Sequence, residues 1–164
     1  MVVRIGILTI SDRSARGERP DVSGPALEEA AKAWGWQVTC KGLTPDDLAM
    51  IRDTLTLWAD TDKADVIVTT GGTGFAPRDV TPEATRLVIE REAPGLAEAM
   101  RAASFQITPH AMLSRGLAGI RKRTVLVNLP GSPKAAVENL RVIAAALPHA
   151  VQLLREDPQA ERGH

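Results

Sequence analysis

The sequence predicts an α/β fold in three layers, in which a mainly parallel sheet lies between helices on both of its faces. Short apolar, β-branched runs alternate along the chain with stretches whose apolar residues recur at helical spacing. At 164 residues the chain has the length of one domain with a buried core. Hydrophobic residues make up 44% and charged residues 24%, which are ordinary values for a globular protein. This composition excludes a chain that is disordered throughout.

The first half of the chain predicts three strands and two helices. Residues 2–10 and 66–70 are apolar and β-branched, as in strands that are covered on both faces. Residues 36–41 alternate between apolar and polar, which favours a strand nearer the edge of the sheet. Apolar residues at helical spacing predict helices over 26–34 and 48–58.

The second half continues the same alternation. Helices are predicted around 84–88 and over 95–103, followed by a strand at 124–129. A stripe of apolar residues predicts one long final helix, marked by Val137, Leu140, Ala144 and Leu147. We therefore expect a single domain over 1–155 and a polar, flexible tail over 156–164.

Charge and cysteine content narrow the class of protein. Twenty basic and twenty acidic residues cancel, so a broad nucleic-acid-binding surface is not expected. No apolar run approaches the ~20 residues of a membrane span, and the N-terminus lacks the layout of a signal peptide. Cys40 is the single cysteine, and no Cys/His cluster has zinc spacing. We expect a cytoplasmic protein without a structural metal, and neither nucleic acid nor membrane as a partner.

Three turns combine a hydroxyl residue at a predicted helix N-cap with proline at the first helical position. They are Thr44-Pro45, Thr81-Pro82 and Ser132-Pro133. In a parallel sheet such turns lie at the carboxyl ends of the strands, where open α/β folds bind their ligands. The sequence therefore indicates one edge of the molecule as the functional edge.

A glycine-rich turn, Gly71-Gly72-Thr73-Gly74, directly follows the predicted strand at 66–70. Such a turn can direct backbone N–H groups at an anion. It is neither a P-loop, because no Gly-Lys-Ser/Thr follows, nor the dinucleotide fingerprint. Two interpretations stay open at this point: a phosphate cradle, or a tight connection without a ligand.

Aspartates near two predicted helix starts allow a similar pair of interpretations. Asp79 precedes Thr81, and Asp46-Asp47 follows Pro45. Each can be a helix cap or dipole partner, or an oxygen ligand for Mg²⁺ beside bound phosphates. Two aspartates at one edge, beside a phosphate-type turn, favour Mg-dependent phosphoryl or nucleotidyl transfer.

The chain resembles the MogA/MoaB family of molybdenum-cofactor enzymes. The resemblance begins at Thr69-Thr70-Gly71-Gly72-Thr73-Gly74 and continues through Pro77-Arg78-Asp79-Val80-Thr81-Pro82-Glu83-Ala84-Thr85. Further segments agree in order: Ile10-Ser11-Asp12-Arg13, Glu92-Ala93-Pro94-Gly95-Leu96, Ala111-Met112-Leu113-Ser114-Arg115, Gly119-Ile120-Arg121 and Asn128-Leu129-Pro130-Gly131-Ser132-Pro133-Lys134. The match covers residues 3–154, and residues 78–82 resemble the MogA branch more than the MoaB branch.

The resemblance implies a nucleotidyltransferase that moves AMP from Mg-ATP to the terminal phosphate of molybdopterin and releases pyrophosphate. By motif, Asp46 and Asp79 match the family's essential aspartates, and they would also hold Mg²⁺ through the substrate phosphates. Ser114 matches a residue of the pterin side. The other substrate- or phosphate-binding residues that the resemblance implies are Ser11, Asp12, Gly71, Gly72, Thr73, Gly74, Arg115, Pro130 and Gly131.

The resemblance also implies a homo-oligomer, with a trimer as the first expectation and a hexamer as the alternative. The product would pass to a separate molybdenum-insertion enzyme, and tungsten in place of molybdenum stays open. Two other functions compete with AMP transfer: a pterin-binding scaffold that has lost the reaction, and a nucleotide pyrophosphatase. Both Asp46 and Asp79 are present, which argues against the scaffold.

Overall fold

One sheet of six strands forms the middle layer. The computed structural model, which describes residues 1–158 and 160, places the strands at β1 (Arg4–Ile10), β2 (Gln37–Thr44), β3 (Val66–Thr70), β4 (Arg91–Glu92), β5 (Ala118–Arg121) and β6 (Thr124–Leu129). Their order across the sheet is β2-β1-β3-β6-β5-β4. Strands β2, β1, β3 and β6 are mutually parallel, whereas β5 is antiparallel to β6 and to β4. The predicted, mainly parallel sheet is thus confirmed.

Helices cover both faces of the sheet. They are α1 (Asp12–Ala15), α2 (Ser23–Ala33), α3 (Leu48–Asp60), α4 (Thr81–Val88), α5 (Pro94–Phe105), α6 (Pro133–Ala144) and α7 (Leu147–Leu154), with a 3-10 helix at Pro109–Leu113. Apolar residues of α2, α5, α6 and α7 share one core cluster with the sheet, and those of α3 and α4 share the other. The fold has the three layers that the sequence predicts.

Side-chain alternation along the central strands divides the core between the two faces. Ile5 and Ile7 of β1 belong to the cluster of α2, whereas Leu8 and Ile10 belong to that of α3. Every residue of β3 is buried, as expected for a strand that is covered on both sides. The alternating strand β2 forms the edge of the sheet, in agreement with its pattern.

The prediction of one long final helix is wrong. Helix α6 ends at Ala144 and α7 begins at Leu147, with Pro148 in its first turn. Proline lacks the N–H of a helical hydrogen bond, and its ring clashes with the carbonyl four residues earlier, which here belongs to Ala144. The apolar stripe continues across the break because both helices pack on the same face of the sheet.

Of the three predicted N-caps, only Ser132 is one. Its Oγ accepts a hydrogen bond from the N–H of Ala135, and Pro133 begins α6. Thr44 instead ends β2, and Asp47 caps α3 by accepting from the N–H of Met50. Thr81 lies inside α4, where the N-cap residue is Val80. The prediction at Thr44 places the start of α3 too early, and the prediction at Thr81 places the start of α4 one residue too late.

A buried carboxylate ties the amino ends of the central strands together. Asp65 is 1% exposed, and it accepts hydrogen bonds from the backbone N–H of Arg4 at 2.8 Å and from its Nη2 at 2.8 Å. Arg155, just beyond α7, also pairs with this carboxylate. Burial raises the pKa of Asp65, but the hydrogen bonds and charges of the two arginines outweigh that effect and hold the pKa below its ordinary value.

The predicted flexible tail begins at Glu156. The backbone N–H of Asp157 bonds to the carbonyl of Gln152 at 3.0 Å, so the first tail residues extend the end of α7. Gln159 and residues 161–164 lie outside the described residues, and the tail stays a prediction. Among the residues described, no helix combines the length and the apolar character needed to cross a bilayer.

We predict that Asp65→Asn lowers the free energy of unfolding at pH 7 by about 2 kcal/mol, because two arginines lose a charged partner. A carboxylate with a lowered pKa stabilises the fold above its unfolded pKa, and that contribution is lost as the pH falls through the folded pKa. The difference in the free energy of unfolding between the variant and the wild type should therefore become smaller below about pH 4. Urea unfolding over this pH range measures it.

Asp62→Asn is the matched control for this prediction. Asp62 pairs with the same Arg4 but is 73% exposed, so its loss should change stability by less than about 0.5 kcal/mol. An Asp65→Asn variant that is as stable as Asp62→Asn at neutral pH would contradict the prediction.

Candidate functional site

A cleft of about 530 Å³ opens at the carboxyl ends of β1, β2, β3 and β6. Most of the predicted site residues line it: Ser11, Asp12, Asp46, Gly71, Gly72, Asp79 and Gly131. Thr73, Gly74 and Pro130 lie beside these residues in the chain but not on the wall of the cleft. The turns after four parallel strands thus meet at one edge, as the sequence predicts.

Asp12 and Asp46 bridge two of these turns by a reciprocal pair of hydrogen bonds. The backbone N–H of Asp12 donates to Oδ2 of Asp46 at 3.1 Å, and the N–H of Asp46 donates to Oδ1 of Asp12 at 2.8 Å. Each carboxylate therefore holds the turn of the other. The sequence left open whether Asp46 and its neighbour Asp47 cap a helix or face a ligand. Asp47 is the helix cap, and Asp46 lines the cleft.

The cleft concentrates negative charge around Asp46. Burial raises the pKa of Asp46 above its ordinary value, and the charges of Asp12 and Asp79 raise it further, whereas the N–H of Asp12 and the charge of Arg78 oppose the change. Because folding raises this pKa, the ionised carboxylate makes folding less favourable as the pH rises through its range. A cation bound beside Asp46 would offset the repulsion between its carboxylate and those of Asp12 and Asp79.

No group of three or more His, Cys, Asp or Glu side chains within residues 1–158 and 160 is arranged to hold a metal by itself. Mg²⁺ is usually bound by one or two carboxylates together with substrate phosphates and water. Asp46 and Asp79 line one cleft beside the glycine turn, so the donors present fit that mode.

Gly71 and Gly72 form a turn whose conformation excludes other residues. Gly71 has φ +109°, and a Cβ atom there would lie 2.2 Å from the carbonyl oxygen of Ile10. Gly72 has φ +67°, and its Cβ would lie 2.3 Å from Oγ1 of Thr81 and 3.0 Å from Oδ1 of Asp46. The turn is thus packed against both β1 and the carboxylate that lines the cleft.

Thr81 holds the glycine turn from the side of α4. Its Oγ1 donates to the carbonyl of Gly71 at 2.9 Å, and its backbone N–H donates to the carbonyl of Gly72 at 3.1 Å. The Oγ1 of Thr85, one helical turn later, donates to the carbonyl of Thr81 at 2.9 Å. The hydroxyl that was predicted to cap a helix therefore fixes the turn instead.

Buried Asn128 of β6 completes this network. Its Nδ2 donates to Oγ1 of Thr69 at 3.0 Å and to Oγ1 of Thr85 at 2.9 Å, while its Oδ1 accepts from the N–H of Leu117 at 3.2 Å. The amide is 3% exposed and uses both of its polar ends. The network links β3, β6 and α4 directly beneath the turn.

Asp79 lies in the loop between the glycine turn and α4. Its Oδ2 accepts from the N–H of Ala76 at 3.0 Å, and its own N–H donates to the carbonyl of Ala76 at 2.9 Å. These bonds close a tight turn that presents Asp79 on the wall of the cleft. Asp79 is not the cap of α4, because the N-cap residue is Val80.

The opposite wall contains residues that sequence reasoning missed. Asp21 accepts from Oγ1 of Thr9 at 2.8 Å and from the N–H of Gly24 at 3.0 Å. Ser23 donates to the carbonyl of Gly131 at 2.6 Å. An acidic residue and a hydroxyl just before a helical stripe are a cap signal that could have found this segment. Arg13, Arg19 and Arg78 also line the cleft and bring positive charge to it.

Ser114 and Arg115 lie in a second depression of about 280 Å³, which Arg86, Arg101 and Leu117 also line. The guanidinium of Arg115 is engaged within the protein: it pairs with Glu83 and donates to the carbonyls of Gly74 and Asp79. The structure thus places Ser114 and Arg115 on the second depression and not on the wall of the main cleft, although Arg115 contacts the backbone of Asp79.

The family of this protein follows from its similarity to known proteins. A family model described as "Probable molybdopterin binding domain" matches residues 6–149. The chain belongs to this family. The resemblance predicted from the motifs at 69–85 is thereby confirmed at the level of the family.

Relatives in this molybdopterin-binding family match nearly the whole chain. The Molybdopterin adenylyltransferase of Escherichia coli K12 is 40% identical over 97% of this chain and 88% of its own length. The Molybdenum cofactor synthesis protein cinnamon of Drosophila melanogaster is 44% identical over 94% of this chain, which spans only 26% of cinnamon. The solved MoaB of Thermus thermophilus is 50% identical, covers 96% of this chain and 99% of its own, and has a TM-score of 0.89.

We predict that Gly72→Ala weakens binding of Mg-ATP by about tenfold or more while the protein still folds at 25 °C. The added methyl group must displace Thr81 or the Asp46 carboxylate, in addition to the cost of roughly 1 kcal/mol for a left-handed alanine. Isothermal calorimetry measures the affinity, and urea unfolding measures the stability.

Gly35→Ala separates these two effects. Gly35 has φ +76°, and a Cβ atom added there would meet nothing within 4 Å, so this variant carries the backbone strain without the collision. It should bind Mg-ATP normally. If Gly72→Ala also bound Mg-ATP normally, the glycine turn would only connect β3 to the loop that follows and would not contribute to ligand binding.

Proposed function

We propose that the protein is a molybdopterin adenylyltransferase of molybdenum-cofactor biosynthesis. The observation that carries this proposal is the meeting of Asp46 and Asp79 with the Gly71-Gly72 turn in one cleft at the carboxyl edge of the sheet. The similarity to the Escherichia coli enzyme of that name supports it, because that match spans nearly the full length of both chains.

The proposed reaction joins the phosphate of molybdopterin to the α-phosphate of ATP and releases pyrophosphate. A phosphate oxygen of molybdopterin attacks the α-phosphorus of ATP and forms the new P–O–P bond. The bond from that phosphorus to the oxygen of the β-phosphate breaks, and this oxygen leaves with pyrophosphate. A phosphate monoester is mostly dianionic at pH 7, so the nucleophile needs little help from a general base. Catalysis then depends on positioning and on neutralising negative charge.

This chain's residues supply both contributions. Gly71 and Gly72 carry no side chain, so a phosphate can approach the backbone of this turn closely. The bridge between Asp12 and Asp46 keeps two turns, and the carboxylates on them, in fixed positions. Arg13, Arg19 and Arg78 provide the positive charge that an incoming triphosphate requires.

Asp46 and Asp79 are the proposed holders of Mg²⁺, with the substrate phosphates as its other ligands. When bound, the ion neutralises charge on the α-phosphate and on the departing pyrophosphate. Burial, and after it the charges of Asp12 and Asp79, raise the pKa of Asp46, and a nearby cation would stabilise the ionised form of this carboxylate against both effects.

The direct experiment is to mix the protein, Mg-ATP and molybdopterin and to follow adenylylated pterin and pyrophosphate. Formation of both in equal amounts is the expected result. A pterin-binding scaffold would bind molybdopterin without consuming ATP. A nucleotide pyrophosphatase would hydrolyse ATP when pterin is absent.

We predict that Asp79→Asn lowers the rate of adenylylation by orders of magnitude and leaves the melting temperature nearly unchanged. Asparagine retains an oxygen that can accept from the N–H of Ala76, so the loop keeps its turn. The negative charge is lost where Mg²⁺ and the transition state need it. Rate, Mg²⁺ dependence and melting temperature should be measured on one preparation.

Asp47→Asn is the matched control. Asp47 is an exposed aspartate that caps α3, and asparagine caps a helix equally well. This variant should be fully active. An active Asp79→Asn variant with unchanged Mg²⁺ dependence would remove Asp79 from the chemistry and leave it as a loop-forming residue.

We predict that Ser114→Ala weakens molybdopterin binding more than nucleotide binding, because Ser114 lies in the second depression, away from the main cleft. Thr108→Ala serves as its control: Ser114 directly follows the 3-10 helix Pro109–Leu113, whereas Thr108 accepts from the N–H of His110 at the start of that helix and lies outside the depression. Separate titrations with each ligand provide the measurement. Equal loss of both ligands in Ser114→Ala would contradict a dedicated pterin side.

The proposed setting of the enzyme follows from the same assignment. We propose a homotrimer, with a hexamer as the alternative. A run of exposed apolar side chains around the 3-10 helix supports association: Phe105, Ile107, Met112 and Leu113 are each at least 46% exposed. A cytoplasmic location supplies ATP and Mg²⁺, and the adenylylated pterin would pass to a metal-insertion enzyme.

A further inference from the structure

Arg115 lines the second depression and contacts both ends of one loop, residues 73–79. Its backbone N–H donates to the carbonyl of Thr73 at 2.9 Å. Its Nε donates to the carbonyl of Gly74 at 2.8 Å, and its Nη2 donates to the carbonyl of Asp79 at 2.7 Å. Glu83 in the first turn of α4 pairs with the same guanidinium. One residue thus spans residues 73–79.

These contacts leave little of the guanidinium for a ligand. One bond from Nε, one from Nη1 and two from Nη2 use four of its five N–H donors. The sequence predicts that Arg115 binds a substrate phosphate, which would require it to break bonds that it already makes. Holding the loop is the role that the geometry favours.

The loop depends on such polar contacts because apolar burial does not hold it. Phe75 is 68% exposed, and residues 76–79 are exposed or half-buried. Within the loop itself, Asp79 bonds to the N–H and the carbonyl of Ala76. The Arg115 fork therefore sets the distance between the glycine turn and the backbone of Asp79.

We propose that Arg115 is a positioning residue, which aims the Asp79 carboxylate into the main cleft by clamping the carbonyls of Gly74 and Asp79. Lysine cannot replace it, because a single ammonium cannot reach two carbonyls and a carboxylate with the fixed geometry of the guanidinium fork. The catalytic consequence rests on the proposed function. The effect on the loop does not.

The test compares Arg115→Lys with Arg121→Lys. Arg121 makes a similar fork at another edge of the sheet, to the carbonyl of Val88 and the carboxylate of Asp60, so its loss reports the general effect of removing such a clamp. The readouts are amide hydrogen exchange over residues 74–79, the melting temperature, and kcat and KM for molybdopterin and for Mg-ATP.

In Arg115→Lys we expect amide exchange over 74–79 to become about tenfold faster or more. We expect kcat to fall about 10²-fold, the effect of a small misplacement of a catalytic group, while KM for molybdopterin changes by less than about twofold. Arg121→Lys should leave kcat and exchange in the loop as in the wild type. A raised KM for molybdopterin with unchanged kcat would overturn the proposal and make Arg115 a direct ligand-binding residue.

Glu83→Gln provides a second variant in case Arg115→Lys does not fold. Glutamine keeps an acceptor for the guanidinium but removes the charge that orients it, so we expect a smaller change in the same direction for loop exchange and kcat. Unchanged loop exchange in both variants would overturn the positioning role. If the wild type transfers no AMP, the proposed function fails, whereas the exchange measurement still decides the role of Arg115.

Discussion

Gly71 approaches the end of β1 so closely that a Cβ atom would lie 2.2 Å from the carbonyl oxygen of Ile10. On its other side, the position of a Cβ at Gly131 is 3.4 Å from the Cα of Gly71. The approach of Gly71 to β1 needs backbone without a side chain, whereas a Cβ atom at Gly131 would make only ordinary van der Waals contact. This packing brings the turns after β1, β3 and β6 to a common wall, and the geometry of the cleft depends on it.

Around that contact the site is built from hydrogen bonds more than from apolar packing. Thr81 holds the glycine turn, Asn128 donates to Thr85 beneath it, and Asp12 and Asp46 bind the turns of β1 and β2 to each other. Hydrogen bonds fix directions more narrowly than apolar contacts do. This construction suits the proposed reaction, in which phosphates must be placed within a fraction of an ångström. The core clusters on either face of the sheet supply the stability on which it rests.

Charge in the cleft is arranged in two opposing sets. Burial raises the pKa of Asp46, and the charges of Asp12 and Asp79 raise it further, while Arg13, Arg19 and Arg78 line the same cleft. This combination of charges suits a ligand that brings a cation together with an anionic phosphate chain. Arg115 behaves differently from the arginines of the cleft, because its charge is paired with Glu83 and its donors hold backbone.

The sequence by itself determined the fold class, the central strands and the edge at which the cleft lies, because these follow from apolar periodicity and from the direction of parallel strands. It also indicated Asp46, Asp79 and the glycine turn. Only the tertiary structure decided that Asp47 caps a helix while Asp46 faces the cleft, and that Arg115 holds a loop. Neighbouring residues of one type look alike in sequence, whereas their roles depend on which groups from distant segments lie within hydrogen-bond distance. Contacts such as that between Arg115 and the carbonyl of Asp79 exist only once the chain has folded.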